Sequence, residues 1–375
     1  MPAPNDDLLH ELALTLLPGV GSQITRQLMS YGGSARAVLH LPPGRLHKIP
    51  GVGPKTVAAL TGPGRSTALL QAEKDLLRAE REGIKILFYT HKEFPSRLKL
   101  IADAPVLLYY QGTADLNAPK TLGIVGTRQA TDYGQAQTEL LVRGIASHQP
   151  LIISGLAYGI DIMAHRAALQ EGLQTIGVMA TGLDVIYPAA HRKTADKMRE
   201  QGGLLTEFPF GTGPDKYNFP SRNRIIAGLS DGVVVVEATA KGGALITADL
   251  ALGYDRDVLA VPGPLGTATS EGCNALIKNN KAALYQETKD LEQLLNWDAA
   301  LHQTGKFRGP IVYSADDFST EEFALVSVLM QIKEAQMDDL AWKAQLPIHT
   351  TASLLLGLEF RSVVRALPGK KFVLI

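Results

Sequence analysis

Thr121-Leu122-Gly123-Ile124-Val125-Gly126-Thr127-Arg128 is the stretch that decides the fold. Its first five residues carry no alternation of polar and apolar side chains. A strand of that kind is buried on both faces, which is the habit of parallel sheets covered by helices. A Gly-Thr-Arg turn follows, then a helical pattern over residues 134–147, then a second apolar run at 151–153. The unit repeats. Strand-like runs at 121–125, 151–153, 175–179, 204–206, 233–236 and 258–261 alternate with helical segments at 134–147, 160–171, 192–201, 223–228 and 244–254. The fold expected is α/β: a Rossmann-like, doubly wound, mostly parallel sheet. In such sheets ligands bind beyond the carboxyl ends of the strands.

Upstream of residue 121, the segments 84–89 and 106–110 are β-branched and aromatic enough to read as further strands, reached by a helix over 67–82. Residues 1–65 read as a separate helical domain with an internal echo. Leu17-Pro18-Gly19-Val20-Gly21 and Ile49-Pro50-Gly51-Val52-Gly53 each precede a helical run, at 22–30 and 54–60. This resembles a helix-hairpin-helix (SAM-like) module, whose glycine turn brings backbone N–H groups near a phosphate. A tight turn between packed helices accounts for the same residues.

Residues 66–298 form the expected core domain, and 299–319, with Gly305, Gly309 and Pro310, read as a linker. Residues 320–375 read as helices at 321–333, 337–344 and 350–359 followed by strands at 362–365 and 371–375, a winged-helix-like order. The third helix has no Lys or Arg, so protein contact suits this unit better than sequence-specific DNA reading.

A chain of 375 residues, 45% hydrophobic and 20% charged, has enough apolar material for two or three packed domains. Thirty-seven basic residues balance thirty-seven acidic ones, so affinity for a polyanion must come from a local patch. One cysteine, Cys273, excludes an internal disulfide and a multi-cysteine zinc site. No apolar run spans a membrane, and Met1-Pro-Ala-Pro-Asn-Asp-Asp lacks the layout of a signal peptide, so a cytoplasmic location is expected.

The chemistry should lie in the turns after the strands. These are Gly126-Thr127-Arg128; Ser154-Gly155-Leu156-Ala157-Tyr158-Gly159-Ile160-Asp161; Thr181-Gly182-Leu183-Asp184 with Tyr187-Pro188; Lys216 to Arg224; and Lys241-Gly242-Gly243-Ala244. Glycine turns at helix starts admit phosphates, and several converging on one edge make an anion site. Within Lys216-Tyr217-Asn218-Phe219-Pro220-Ser221-Arg222-Asn223-Arg224, cations alternate with aromatics, as a single nucleic-acid strand requires. Tyr217 and Phe219 could instead seal the loop, and Arg224 could pair internally with Glu237 or Asp231.

Walker A and Gly-x-Gly-x-x-Gly patterns are missing, as are paired histidines at metal-ligand spacing. His165 and His191 read as hydrogen-bonding residues and Cys273 as a small buried one. No catalytic set, cofactor or metal site is expected.

Taken in order, these turns resemble the DprA/Smf family of bacterial DNA-processing proteins. Phe94-Pro-Ser-Arg-Leu98 and Pro105-Val-Leu-Leu-Tyr-Tyr-Gln-Gly112 extend the resemblance, which covers about residues 84–290. It implies a non-enzymatic protein that binds incoming single-stranded DNA in natural transformation, dimerises and loads the RecA recombinase. It also implies DNA contacts at Gly126, Thr127, Arg128, Ser154, Gly155, Lys216, Phe219, Arg222, Asn223, Lys241, Gly242 and Gly243, with Arg128 and Lys216 the principal phosphate ligands.

One alternative is a nucleotide phosphoribohydrolase-like enzyme. Ala240-Lys-Gly-Gly-Ala-Leu-Ile-Thr247 is its nearest analogue here, but no Glu stands where that family has its catalytic carboxylate, and Asp249 follows Thr247 by two residues. A second alternative is a transcriptional regulator acting through the C-terminal unit, against which the uncharged third helix argues.

Overall fold

The computed structural model describes residues 6–297, 318–332, 334–361, 363–367 and 371–374. It divides into two compact units, Met1–Ala299 and Ala300–Ile375. Most of the expected linker lies outside the described residues.

A nine-stranded sheet organises the first unit. Its strands in chain order are β1 (Lys85–Phe88), β2 (Leu107–Gly112), β3 (Thr121–Val125), β4 (Leu151–Ser154), β5 (Thr175–Val178), β6 (Gly202–Thr206), β7 (Gly232–Val235), β8 (Asp257–Ala260) and β9 (Ala283–Leu284). Across the sheet they lie in the order β1-β2-β6-β5-β4-β3-β7-β8-β9. From β6 to β9 every pairing is parallel; β2 joins β6, and β1 joins β2, antiparallel.

The chain winds outward from β3 through β4 and β5 to β6, then crosses back to place β7 on the other side of β3. That reversal opens a crevice between the ends of β3 and β7, the switch point at which open α/β sheets bind ligands.

The expected runs become strands because both of their faces are covered. Leu122, Ile124, Ile152, Val234 and Leu259 pack on one side, against helices Asp132–Gly144 and Ile160–Gln170. Val125, Ile153, Val233, Val235 and Val258 pack on the other, against Asn218–Leu229 and Gly243–Gly253. The strand β9, two exposed residues long, has too little pattern to be legible from sequence.

The N-terminal helices are where the Pro-Gly-Val-Gly turns place them: Ser22–Gly32 and Pro54–Thr61 follow the two turns, and Gly19 and Gly51 share φ of 77°. Their core is continuous with that of the sheet, since Leu28, Val57, Phe88 and Tyr109 belong to one buried cluster.

The second unit consists of helices Thr320–Ile332, Met337–Lys343 and Ile348–Phe360 with an antiparallel sheet of three strands, Glu334–Gln336, Val364–Leu367 and Lys371–Leu374. The first of these strands, three residues between two helices, is absent from the sequence reading. Among the described residues no helix is long and apolar enough to cross a membrane.

Candidate nucleic-acid interface

The switch-point crevice is an open cleft of about 600 Å³. Its walls come from the turns after β3 and β4, the start of helix Asn218–Leu229 and the start of helix Gly243–Gly253. Gly126, Thr127 and Arg128 line it from β3; Lys216, Phe219, Arg222 and Asn223 from the segment before β7; Gly242 and Gly243 from the turn after it. Gly155 lines the adjoining recess of about 30 Å³, together with Tyr158 and Tyr187. Of the expected contact residues, Ser154 and Lys241 line neither. Ser154 is wholly buried and its hydroxyl donates to the Ile124 carbonyl at 2.6 Å, a cross-strand tie beneath the cleft. Lys241 is exposed, one residue before Gly242 of the cleft wall.

The run Lys216–Arg224 is not the loop its composition suggests, because helix Asn218–Leu229 begins inside it. Pro220 falls in the first turn, where its missing N–H costs no helical hydrogen bond and its fixed φ suits the helix. Helical winding sends the run's cations to different places.

Lys216 stays exposed outside the helix, its Nζ 5.0 Å from the Tyr217 ring. Arg222 turns inward until 4% exposed; its guanidinium donates to the Val178 carbonyl and, through Nε, to Asn223 Oδ1 at 3.2 Å. Arg224 pairs with Glu207 at 2.5 Å and with neither acid proposed for it. Asp231 instead holds Arg97 at 2.7 Å, and Glu237 accepts from the Thr131 hydroxyl and amide.

Two of the glycines serve packing. A Cβ on Gly126 would come within 2.4 Å of Ile160, and one on Gly155 within 2.1 Å of the Arg222 guanidinium. The second contact shows why Gly155 is there: it leaves the space that the buried cation occupies.

Electrostatically the cleft is positive. Arg128 and Lys216 face solvent, Arg222 forms the floor, and Asp161 is the lone carboxylate among the lining residues. Burial pushes the Asp161 carboxyl above its usual range, opposed chiefly by the Arg222 charge, and burial lowers Arg222 to about 10. Both shifts record desolvation.

Along the rim runs an aromatic series of which the sequence predicts only Phe219 as a contact. The Arg128 guanidinium lies 5.0 Å over the Phe219 ring, and the Tyr187 ring is 5.9 Å from that of Phe219. Tyr158, half exposed, meets His191 edge-on at 4.9 Å. Tyr187 precedes a cis proline, Pro188. Both tyrosines sit in turns recognisable from sequence; their orientation toward the cleft was not readable there.

The two histidines are hydrogen-bonded as expected. His165 accepts from the Leu156 amide through Nε2 and bonds the Thr175 hydroxyl at 2.7 Å, and His191 bonds the Leu156 carbonyl at 2.9 Å. Cys273 is fully buried, and burial raises its thiol to about 12.

An open, mostly parallel sheet with a cationic, aromatic-edged cleft at its switch point defines a Rossmann-like protein. More narrowly, the chain belongs to the DNA recombination-mediator protein A family, whose model matches residues 85–296. It is 38% identical over 281 residues to Protein Smf of Escherichia coli, a match covering 74% of each chain. It is 44% identical over 185 residues to DNA processing protein DprA of Streptococcus pneumoniae, covering 49% of this chain and 65% of that protein.

The crystal structure of the pneumococcal protein superposes with a TM-score of 0.65 at 34% identity, covering 76% of this chain and 96% of that one. DNA processing protein A of Helicobacter pylori, whose structure concerns its mode of binding single-stranded DNA, gives 0.52 at 30% identity, covering 57% and 96%.

Proposed function

We propose that the chain binds single-stranded DNA without chemically altering it, in the cleft at the ends of β3, β4 and β7. We further propose that it acts as a cytoplasmic homodimer that delivers the strand to the RecA recombinase in natural transformation or recombination. The observation that carries the binding reading is the succession Arg128–Phe219–Tyr187 along one wall, with Lys216 among the residues of the same cleft. Cations track phosphates and aromatic faces stack bases, each stack contributing roughly 1–3 kcal/mol.

The uncapped start of helix Gly243–Gly253, with Gly243 and Ala244 in the cleft wall, adds backbone donors to an anion. Likeness to a protein studied for single-strand binding supports the same ligand. The phosphoribohydrolase alternative is disfavoured by Asp249, which is absent from the cleft wall and pairs with Lys281 at 2.9 Å.

Fluorescence anisotropy of labelled oligothymidylate tests the reading. Wild-type binding should weaken with salt, and an Arg128→Ala/Lys216→Ala variant should lose most of it. Equal binding by the two proteins would move the site elsewhere, and binding by neither would overturn the proposal.

A further inference from the structure

A second cationic concavity lies between helices Ile160–Gln170 and Arg192–Glu200. Arg166 stands on one wall, Lys193 and Lys197 on the other, with Glu200 the only carboxylate among the lining residues. The spacings explain the geometry: 193 and 197 are one turn apart on a single helix face, opposite Arg166, Leu169 and Gln170 on the neighbouring helix. Among the described residues none of the three cations has an ion-pair partner. The nearby acids are engaged elsewhere, Asp196 with Arg199 and Glu171 with Arg143. Arg192 and Lys193 occupy the first turn of their helix, where the macrodipole disfavours positive charge. Helix stability does not explain Lys193 there, whereas Lys197 lies in the last turn, where the dipole favours it; an anion in the groove would account for the three unpaired cations together.

The first helix starts at the binding cleft, and the second a few residues after Pro188, which lines the adjoining recess. The first opens just after Tyr158 and Gly159, with Asp161 in the cleft wall; the second follows His191, whose ring meets Tyr158. Arg166 is about 9 Å along its axis from Ile160 at 1.5 Å per residue.

We propose that this groove is a continuation of the single-strand site, in which Arg166, Lys193 and Lys197 contact phosphates of the strand leaving the cleft past Tyr158. The proposal rests on the reading that single-stranded DNA occupies the cleft. It makes the site longer than the cleft alone and the outer part sequence-indifferent, because the groove offers charge and no aromatic stack.

The test compares wild type with an Arg166→Gln/Lys193→Gln/Lys197→Gln variant of the full chain, by anisotropy with oligothymidylates of about 6 and about 20 nucleotides, lengths that bracket short and long strand sites. The expected result is an unchanged affinity for the short strand, which also shows that the variant is folded. Affinity for the long strand should fall about tenfold or more, and the slope of log K against log salt should shrink by about 2, the release expected for three phosphates. Unchanged long-strand affinity and slope would overturn the proposal and leave the groove to an acidic protein surface. Equal loss for both lengths would also overturn it. Failure of wild type to bind either length is a different result and sinks the cleft reading itself.

Discussion

Gly159→Ala should uncouple the binding cleft from the rest of the fold. Gly159 precedes helix Ile160–Gln170 at φ 77° and ψ −129°, a conformation nearly closed to residues with a Cβ. A methyl group there would sit 2.1 Å from the Thr127 carbonyl oxygen and 2.7 Å from the Arg128 carbonyl carbon. Both are backbone atoms, so no side chain can swing aside. The Thr127 segment is pinned on two sides: its amide donates to the Glu237 carbonyl at 2.7 Å, and its carbonyl accepts from the Ile160 amide at 3.2 Å.

Backbone strain of about 1–3 kcal/mol and a comparable overpacking cost together give about 2–6 kcal/mol. That is a large part of the roughly 5–15 kcal/mol that holds a domain folded. The relief available is to push the turn after β3 outward, which displaces Arg128 from Phe219. Chemical denaturation should therefore show a lowered midpoint, and anisotropy at a temperature where the variant is still folded should show weakened oligothymidylate binding. Gly253→Ala, a helical site whose Cβ would meet nothing within 4 Å, is the control and should keep wild-type affinity with a midpoint equal to or above that of wild type. Wild-type stability and affinity in Gly159→Ala would refute the reasoning.

Other expectations follow from particular side chains. Glu207→Gln should cost about 3–5 kcal/mol in denaturant unfolding, because it leaves the mostly buried Arg224 without its ion partner; a loss below 1 kcal/mol would contradict that. His165, held neutral by burial at about 3, stabilises the fold fully above its unfolded value near 6.5 and progressively less as pH falls toward 3. Replacing it with Gln should remove about 2 kcal/mol of the wild-type stability lost between pH 7 and pH 5. Equal pH slopes in the two proteins would count against this. Ser154→Ala should cost about 1 kcal/mol of stability with single-strand affinity retained, since Ser154 is wholly buried, lines neither cleft nor recess, and donates its hydroxyl to the Ile124 carbonyl; a selective loss of affinity would restore it as a DNA contact. Cys273 should resist a chromogenic thiol reagent until the protein is unfolded, and rapid reaction of the native protein would show that its burial is wrongly described.

The sequence by itself determined the sheet. Runs such as Thr121–Val125, matched residue for residue by β3, are apolar without alternation, and only burial on both faces makes such a run stable. The turns after the strands were legible for the same reason, since the fold sends every strand end to one edge.

What the sequence could not settle was direction and partnership. Lys216, Arg222 and Arg224 look equivalent as letters. Lys216 stays exposed ahead of the helix, while winding from Asn218 buries Arg222 against Val178 and ties Arg224 to Glu207, eleven residues before the helix in the turn after β6. Tyr158 and Tyr187 are more than twenty-five residues apart in sequence and share a wall because the turns after β4 and β5 are adjacent in space. Glycines chosen to admit a phosphate and glycines chosen to admit a neighbouring side chain are the same residue in sequence. At Gly155 the tertiary structure decided for the buried guanidinium of Arg222, because space is a property of what packs nearby and not of the glycine.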